Sequence, residues 1–312
     1  MSNILIIKHG SLGDLIQANG AIKDIRHSYP DYKIFILTTH KYADLMSVCP
    51  FIDGVLIDKR RSRMNIFYLF KLKKMLDRFS FVKIFDLQNS SRTKFYQKFL
   101  FKGISFSSTN TTLRLNEKKS ELDKIPVLDR MQMQLERSGV KIQFTKKPDI
   151  GWARKNVKNI LNQYFEGNFI ILFPFCSPKL TKKKWPYFKD LIEILKKNYG
   201  NKYNFVVAPD QSEIEDSEKL GVNIVLEKDK ALSIINLIGL IDKASYVIAN
   251  DTGPAHIAAH LNKKGIVLFG SHTSADKVSI ETENFKSLQV NNLRELSVST
   301  VFERIRENLD KL

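Results

Sequence analysis

Short β-rich runs alternate with helix-like segments along this chain: Ile4–Ile7, Lys33–Leu37, Gly54–Ile57 and Val82–Phe85, then Phe169–Phe173, Phe205–Ala208, Asn223–Val225, Tyr246–Ala249 and Ile266–Phe269. Strands separated by helical patterns predict βαβ units around parallel sheets, an α/β fold. The alternation breaks at Lys146-Lys147-Pro148-Asp149, which predicts domains over 1–148 and 149–295. In residues 296–312, Val298, Val301, Phe302, Ile305 and Leu309 fall at helical spacing. They predict a terminal amphipathic helix, for which packing back on the N-terminal domain is one expectation.

A length of 312 residues exceeds the usual single domain, and 43% hydrophobic residues suffice for two cores. No apolar run approaches the roughly 20 residues needed to span a bilayer. Met1-Ser2-Asn3 leads directly into a strand-like run without a cleavable signal pattern, so a cytoplasmic protein is expected. Cys49 and Cys176 are far apart and show no metal-ligand spacing, which argues against a disulfide framework or a structural zinc.

The net charge of +17 is unevenly spread. Residues 1–150 hold 27 Lys and Arg against 14 Asp and Glu, whereas residues 151–312 hold 23 against 19. An anionic partner for the first half follows from that asymmetry. An AT-rich genome, which raises Lys, Ile, Asn and Phe together, explains the total better than it explains the imbalance.

Three strand-to-loop transitions carry candidate chemistry. Asn250-Asp251-Thr252-Gly253-Pro254-Ala255-His256 follows one apolar run and precedes another, the pattern of a strand that ends in a small polar turn and enters a helix. Unpaired N–H groups and the helix dipole make such a turn a phosphate site, although Asp and Thr are also ordinary cap residues. The early segment Lys8-His9-Gly10-Ser11-Leu12-Gly13-Asp14 spaces its glycines G-x-x-G. That is neither the dinucleotide fingerprint nor a P-loop. Asp14 there is a candidate general base, or simply a helix N-terminal carboxylate. The loop Phe175–Pro186, with Ser177, Thr181 and Lys182-Lys183-Lys184, suits a diphosphate, or is a solvated loop. A fourth feature is electrostatic: seven cations and no acid between Lys59 and Leu76, interleaved with Phe67, Tyr68 and Phe70. It fits an anionic glycolipid or membrane surface, or a solvated helix face. Nucleic acid is disfavoured, because neither zinc-finger spacing nor an RRM-type aromatic signature is present.

Taken together, Lys8–Asp14, the Lys-Lys-Trp-Pro element at 183–186 and Asp251–His256 resemble glycosyltransferase family 9, the bacterial lipopolysaccharide heptosyltransferases. The resemblance runs over nearly the whole chain in the right order. It implies a GT-B architecture of two Rossmann-like domains facing a central cleft, with acceptor on the first and nucleotide-sugar on the second. It also implies an inverting, metal-independent transfer from ADP-heptose to an anionic core acceptor, with no cofactor beyond the donor substrate. Asp14 matches the family's base. Asp251, Thr252, Gly253 and His256 match the donor diphosphate and sugar loop, Lys183 the lysine near the phosphates, and Ser177, Thr181 and Glu213 the nucleotide contacts. Ser11, Gly13, Arg60, Arg61, Arg63, Gln88 and Arg92 fall where the family meets its acceptor. The expected protein is a monomer, associated with the inner face of the cytoplasmic membrane.

The chain departs from the family pattern at Ser177–Lys182, which is a residue or two longer, and at Ala208–Glu213, which has no glycine. Two alternatives therefore stand beside the heptosyltransferase expectation: a GT-B enzyme using another nucleotide-sugar, and a non-catalytic binding protein of the same fold. The mechanism carries a tension of its own. A helix N-terminus favours an ionised carboxylate and so weakens it as a base, whereas loss of water acts in the opposite sense.

Overall fold

The computed structural model describes residues 2–311, apart from the side chains of Pro178 and Lys179. The chain divides into two compact units, Met1–Trp152 and Ala153–Leu312. In the first unit β1 (Asn3–Ile7), β2 (Lys33–Thr38), β3 (Gly54–Ile57), β4 (Phe81–Asp86) and β5 (Ser105–Ser107) form one sheet in the order β3-β2-β1-β4-β5. Every pairing is parallel. The chain steps outward from β1 to β3 and then returns to the other side of β1, so the strand order reverses between β1 and β4. At such a reversal the loops leaving the two strands diverge and open a crevice at their carboxyl ends. Register fixes what lies there: Ile7 pairs with Leu37 on one side and Asp86 on the other, which brings Lys8 and Leu87 together.

The second unit repeats the plan with β6 (Phe169–Phe173), β7 (Asn204–Val207), β8 (Asn223–Ile224), β9 (Tyr246–Asn250), β10 (Gly265–Phe269) and β11 (Phe285–Gln289). Their order is β11-β10-β9-β6-β7-β8, again all parallel, and the reversal falls between β6 and β9. Central strands β6, β9 and β10 are buried at every position. That is why these strands read as unbroken apolar runs. Two strands escape the sequence pattern. Strand β5 is only Ser-Phe-Ser, and β11 alternates polar residues along a sheet edge.

The terminal helix forms over Val298–Leu309, and its packing differs from the expectation of a return to the N-terminal domain. Val301, Ile305 and Leu309 are fully buried in the second unit's core with Leu191, Ile192 and Leu195 of helix Phe188–Tyr199. These i, i+4, i+8 positions form the helix's apolar stripe, and the second unit takes up all of it. Tyr199 also donates to Asp310 Oδ1 at 2.6 Å.

Candidate active site

In the first unit β1 runs out into Lys8-His9-Gly10 and the chain turns into helix Leu12–Gln17. Gly10 has φ +118°, and a Cβ at this position would enter the Tyr42 ring, so the turn requires glycine on both counts. Asp14 is half-buried in the helix's first turn, where its Oδ2 accepts from Ser11 N at 2.8 Å and from Ser11 Oγ at 2.9 Å. The capping role considered for Asp14 is thus realised, and it also fixes where the carboxylate sits. Gly13 is buried within the same turn.

A small cavity lies beside Asp14, lined by Lys8, Gln88, Asn89, Arg130 and Met131 among others. Its floor carries a compensated charge set. Lys8 is buried and donates to Leu87 O at 3.0 Å. Burial lowers the pKa of its ammonium, while the carboxylates Asp14 and Asp86 act the other way. Asp86 is also buried, which raises its pKa even though it accepts from the N–H groups of Gln88 and Asn89, each at 3.0 Å. Gln88 in turn accepts from His9 N at 2.8 Å, tying the β4 loop to the β1 loop.

A second carboxylate, Asp58 at the end of β3, is completely buried. His9 Nε2 stands 2.9 Å from its Oδ2, Tyr96 donates to it at 2.8 Å, and Tyr68 donates to its Oδ1. Arg60 N also donates to Oδ1, at 2.7 Å. Burial opposes ionisation of Asp58, but the hydrogen bonds from His9, Tyr68 and Tyr96 outweigh it and hold the carboxyl well below the usual range. Burial, with the charge of Asp58 adding to it, pushes Tyr96 up to about 12. At this knot two of the expected acceptor residues meet: Arg92 donates to Tyr96 Oη at 2.9 Å and to Arg60 O at 3.3 Å. Arg60, Arg61 and Arg63 are exposed on the loop after β3.

The second unit builds its own cluster where β6, β9 and β10 end. Asp251, directly after β9, is 3% exposed, and Lys183 Nζ lies 2.5 Å from its Oδ2. His272 Nε2 is 3.0 Å from the same oxygen, and His256 Nε2 is 3.8 Å from Oδ1. Burial alone would raise this carboxyl, yet Lys183, His256 and His272 together bring it below its ordinary value. Thr252 precedes helix Gly253–His260 without a side-chain bond to the helix N–H groups; its hydroxyl donates to Asn250 O at 3.2 Å. Asp251 and Thr252 therefore do not act as the ordinary cap, and Gly253 opens the helix with its first turn uncapped by a side chain. Deeper in, burial takes the His260 imidazole down to about 3, so it stays neutral.

Asn250 holds the long loop between β6 and helix Phe188–Tyr199 in place. Its Nδ2 donates to Pro174 O at 2.8 Å and its Oδ1 accepts from Trp185 N at 3.1 Å, so one buried amide clamps both ends of the loop. The fully buried Trp185 adds a bond from Nε1 to Leu296 O at 2.9 Å. Between these anchors Ser177 and Thr181 are exposed, and Thr181 O receives Lys184 N at 3.0 Å. Glu213 ends the short turn Gln211–Glu213 after β7, where its carboxylate accepts from Asp210 N at 2.9 Å. It acts electrostatically on Cys176, within reach of the same loop. Sequence reasoning missed Lys8, Asp58, Arg130, Asn250 and His272 as site residues. His272 follows the Gly270-Ser271 turn after β10, so the strand-end rule that found Asp251 would have found it too.

Two parallel-sheet units with polar constellations at their strand ends make up a GT-B architecture. A family model described as glycosyltransferase family 9 (heptosyltransferase) matches residues 70–302, and the chain belongs to that family. It is a glycosyltransferase enzyme. Among solved structures it resembles the E. coli heptosyltransferase WaaC bound to ADP, with TM-score 0.74 and 16% identity over 98% of this chain and 99% of that one. It equally resembles E. coli ADP-heptose lipopolysaccharide heptosyltransferase II, with TM-score 0.74 and 18% identity over 99% of both chains. A provisionally assigned glycosyltransferase of Haemophilus influenzae is 23% identical over 282 residues, 84% of this chain and 80% of its own length. At such identities the structural likeness establishes the fold.

Two outcomes follow from the geometry. Asn250→Ala should cost about 2 kcal/mol in urea unfolding, because it leaves the buried Trp185 N–H and Pro174 carbonyl unpaired. For Asp58 the folded-state pKa lies below the unfolded value, so its contribution is complete above the ordinary carboxylate pKa of about 4 and fades as pH falls below it. The stability advantage of wild type over Asp58→Asn, followed by denaturation at stepwise lower pH, should therefore shrink toward acid.

Proposed function

We propose that this enzyme moves a heptose from ADP-heptose to an anionic lipopolysaccharide-core acceptor, with inversion and without a metal ion. The observation that carries the reading is the convergence of Lys183, His256 and His272 on Asp251, beside the uncapped start of helix Gly253–His260. Cationic and N–H donors at a strand end suit a diphosphate leaving group. Asp14 takes the proton of the acceptor hydroxyl as its oxygen attacks the anomeric carbon, and the C–O bond to the diphosphate breaks on the opposite face. Negative charge then grows on the departing phosphate, and Lys183 and the Gly253 N–H at the helix start stabilise it without help from a divalent ion. The acceptor is drawn to the first unit by the exposed Arg60, Arg61 and Arg63, with Arg92 beside them bonded to Tyr96 of the Asp58 knot. The neighbours solved with ADP and with a fluorinated ADP-heptose support this choice of donor.

A GT-B enzyme using another nucleotide-sugar is the second reading. It is favoured by the engagement of Glu213 in a local backbone bond and by the absence of glycine from Ala208–Glu213.

A thermal-shift panel of ADP, UDP, GDP, CMP and NADH separates the two readings. A ligand at 100 times its dissociation constant stabilises the native state by roughly 2.7 kcal/mol, and that response should belong to ADP alone. Preference for UDP or GDP would shift the assignment to the second reading. With the donor established, Asp14→Asn should keep ADP binding near wild type and lower transfer by about 10²–10⁴-fold, while transfer by the wild type should survive EDTA. Near-normal turnover by Asp14→Asn would remove Asp14 from the mechanism.

A further inference from the structure

The helix Ile66–Asp77 breaks the usual rule for a surface helix. One face is conventional: Leu72 and Leu76 are buried in the first unit's core. The opposite face should be polar, yet Ile66 is 75% exposed, Phe67 85% and Phe70 69%, and Met64 just ahead of the helix is 86% exposed. At 100° per residue Ile66, Phe70 and Phe67 occupy one outward arc, and Lys71, Lys73 and Lys74 lie within and beside it. A neighbouring helix, Ser91–Phe99, extends the surface with Phe99, 62% exposed and stacked on Phe95. Lys73 Nζ reaches Leu100 O at 3.5 Å, which sets the two helices side by side.

Exposed aromatic side chains on a monomer's surface are costly unless something covers them. Here the charge pattern says what does. From Lys59 through Leu76 there are seven cations and no acid, and the helix's carboxylate, Asp77 in its last turn, is paired with Lys73 at 2.9 Å, so the charge around the apolar arc is strongly positive in balance. A second copy of this chain would bring the same positive face against itself. A soluble polyanion would satisfy the lysines and leave Phe67 and Phe70 in water. An anionic bilayer meets both demands at once, since aromatic rings enter the acyl boundary while lysine stems run along apolar surface and place their ammonium groups among phosphates.

We propose that the outward face of helix Ile66–Asp77 docks the enzyme on an anionic bilayer, with Met64, Ile66, Phe67 and Phe70 inserted and Lys71 and Lys74 on lipid phosphates. This deepens the reading of an anionic glycolipid acceptor by naming the element that brings the first unit to the membrane. It is separable from that reading because plain phospholipid vesicles carry no glycan.

The test is co-sedimentation of the full chain with vesicles of phosphatidylcholine and phosphatidylglycerol, against vesicles of phosphatidylcholine alone. The protein should bind the anionic vesicles only, and Phe67→Ser with Phe70→Ser should weaken that binding about tenfold or more. The ADP-induced thermal shift, which depends on the second unit, should be unchanged in the double variant and so certify its fold. Three results would overturn the proposal. One is absence of binding to either vesicle. Another is vesicle binding that the double variant retains and added salt removes, which reduces the face to a general polyanion patch. The last is a concentration-dependent dimer in sedimentation equilibrium that the double variant abolishes, which makes the face a contact between copies.

Discussion

Asp251 is a carboxylate with almost no access to water, and a charge so placed persists only where opposite charges are brought to it. The second unit is arranged to do this. Lys183 comes from the loop after β6, His272 from the loop after β10, and His256 from the helix that β9 feeds. These segments are far apart in sequence and meet because β6, β9 and β10 are neighbours in the sheet. The order of the strands is therefore an electrostatic condition as much as a packing one.

The first unit meets the same constraint by different means. Asp58 is ringed by an imidazole, two phenols and a backbone N–H rather than by a close lysine or arginine ion pair. Its charge is satisfied inwardly, so the arginines of the adjoining loop are not consumed by it. One unit thus holds its carboxylate with a lysine beside two histidines, and the other with a histidine, two phenols and a backbone N–H, which leaves the loop arginines Arg60, Arg61 and Arg63 exposed. Lys8 repeats the pattern at the β1–β4 reversal, a buried cation set among the carboxylates Asp14 and Asp86.

Most of the architecture was legible in the sequence because buried parallel strands must be apolar on both faces. Ile4–Ile7, Phe169–Phe173 and Tyr246–Ala249 announce themselves for that reason. Strands β5 and β11 did not, because one is three residues long and the other is a half-exposed edge whose pairing partner supplies the information its own residues lack. The turn residues Asp14 and Asp251 could be found from local pattern, since each follows a recognisable strand. Asn250 and Asp58 could not, because their roles depend on which loops the sheet order brings beside them. The destination of the terminal helix was likewise hidden. Its stripe states that it packs, and only the tertiary structure states against what.

The bond from Trp185 to Leu296 ties the last part of the chain to the loop that carries Lys183. The indole fixes the last turn of the loop that carries Lys183. Its acceptor carbonyl is held in turn by the helix Val298–Leu309, which packs on the very helix the loop leads into. The C-terminal segment is thus a brace beneath that loop. A truncation that spared every residue of the binding cluster would still unpin the indole, and with it the reach of Lys183. Sequence distance from the site is no measure of a residue's hold on it here, and changes near residue 300 belong functionally with changes near residue 183.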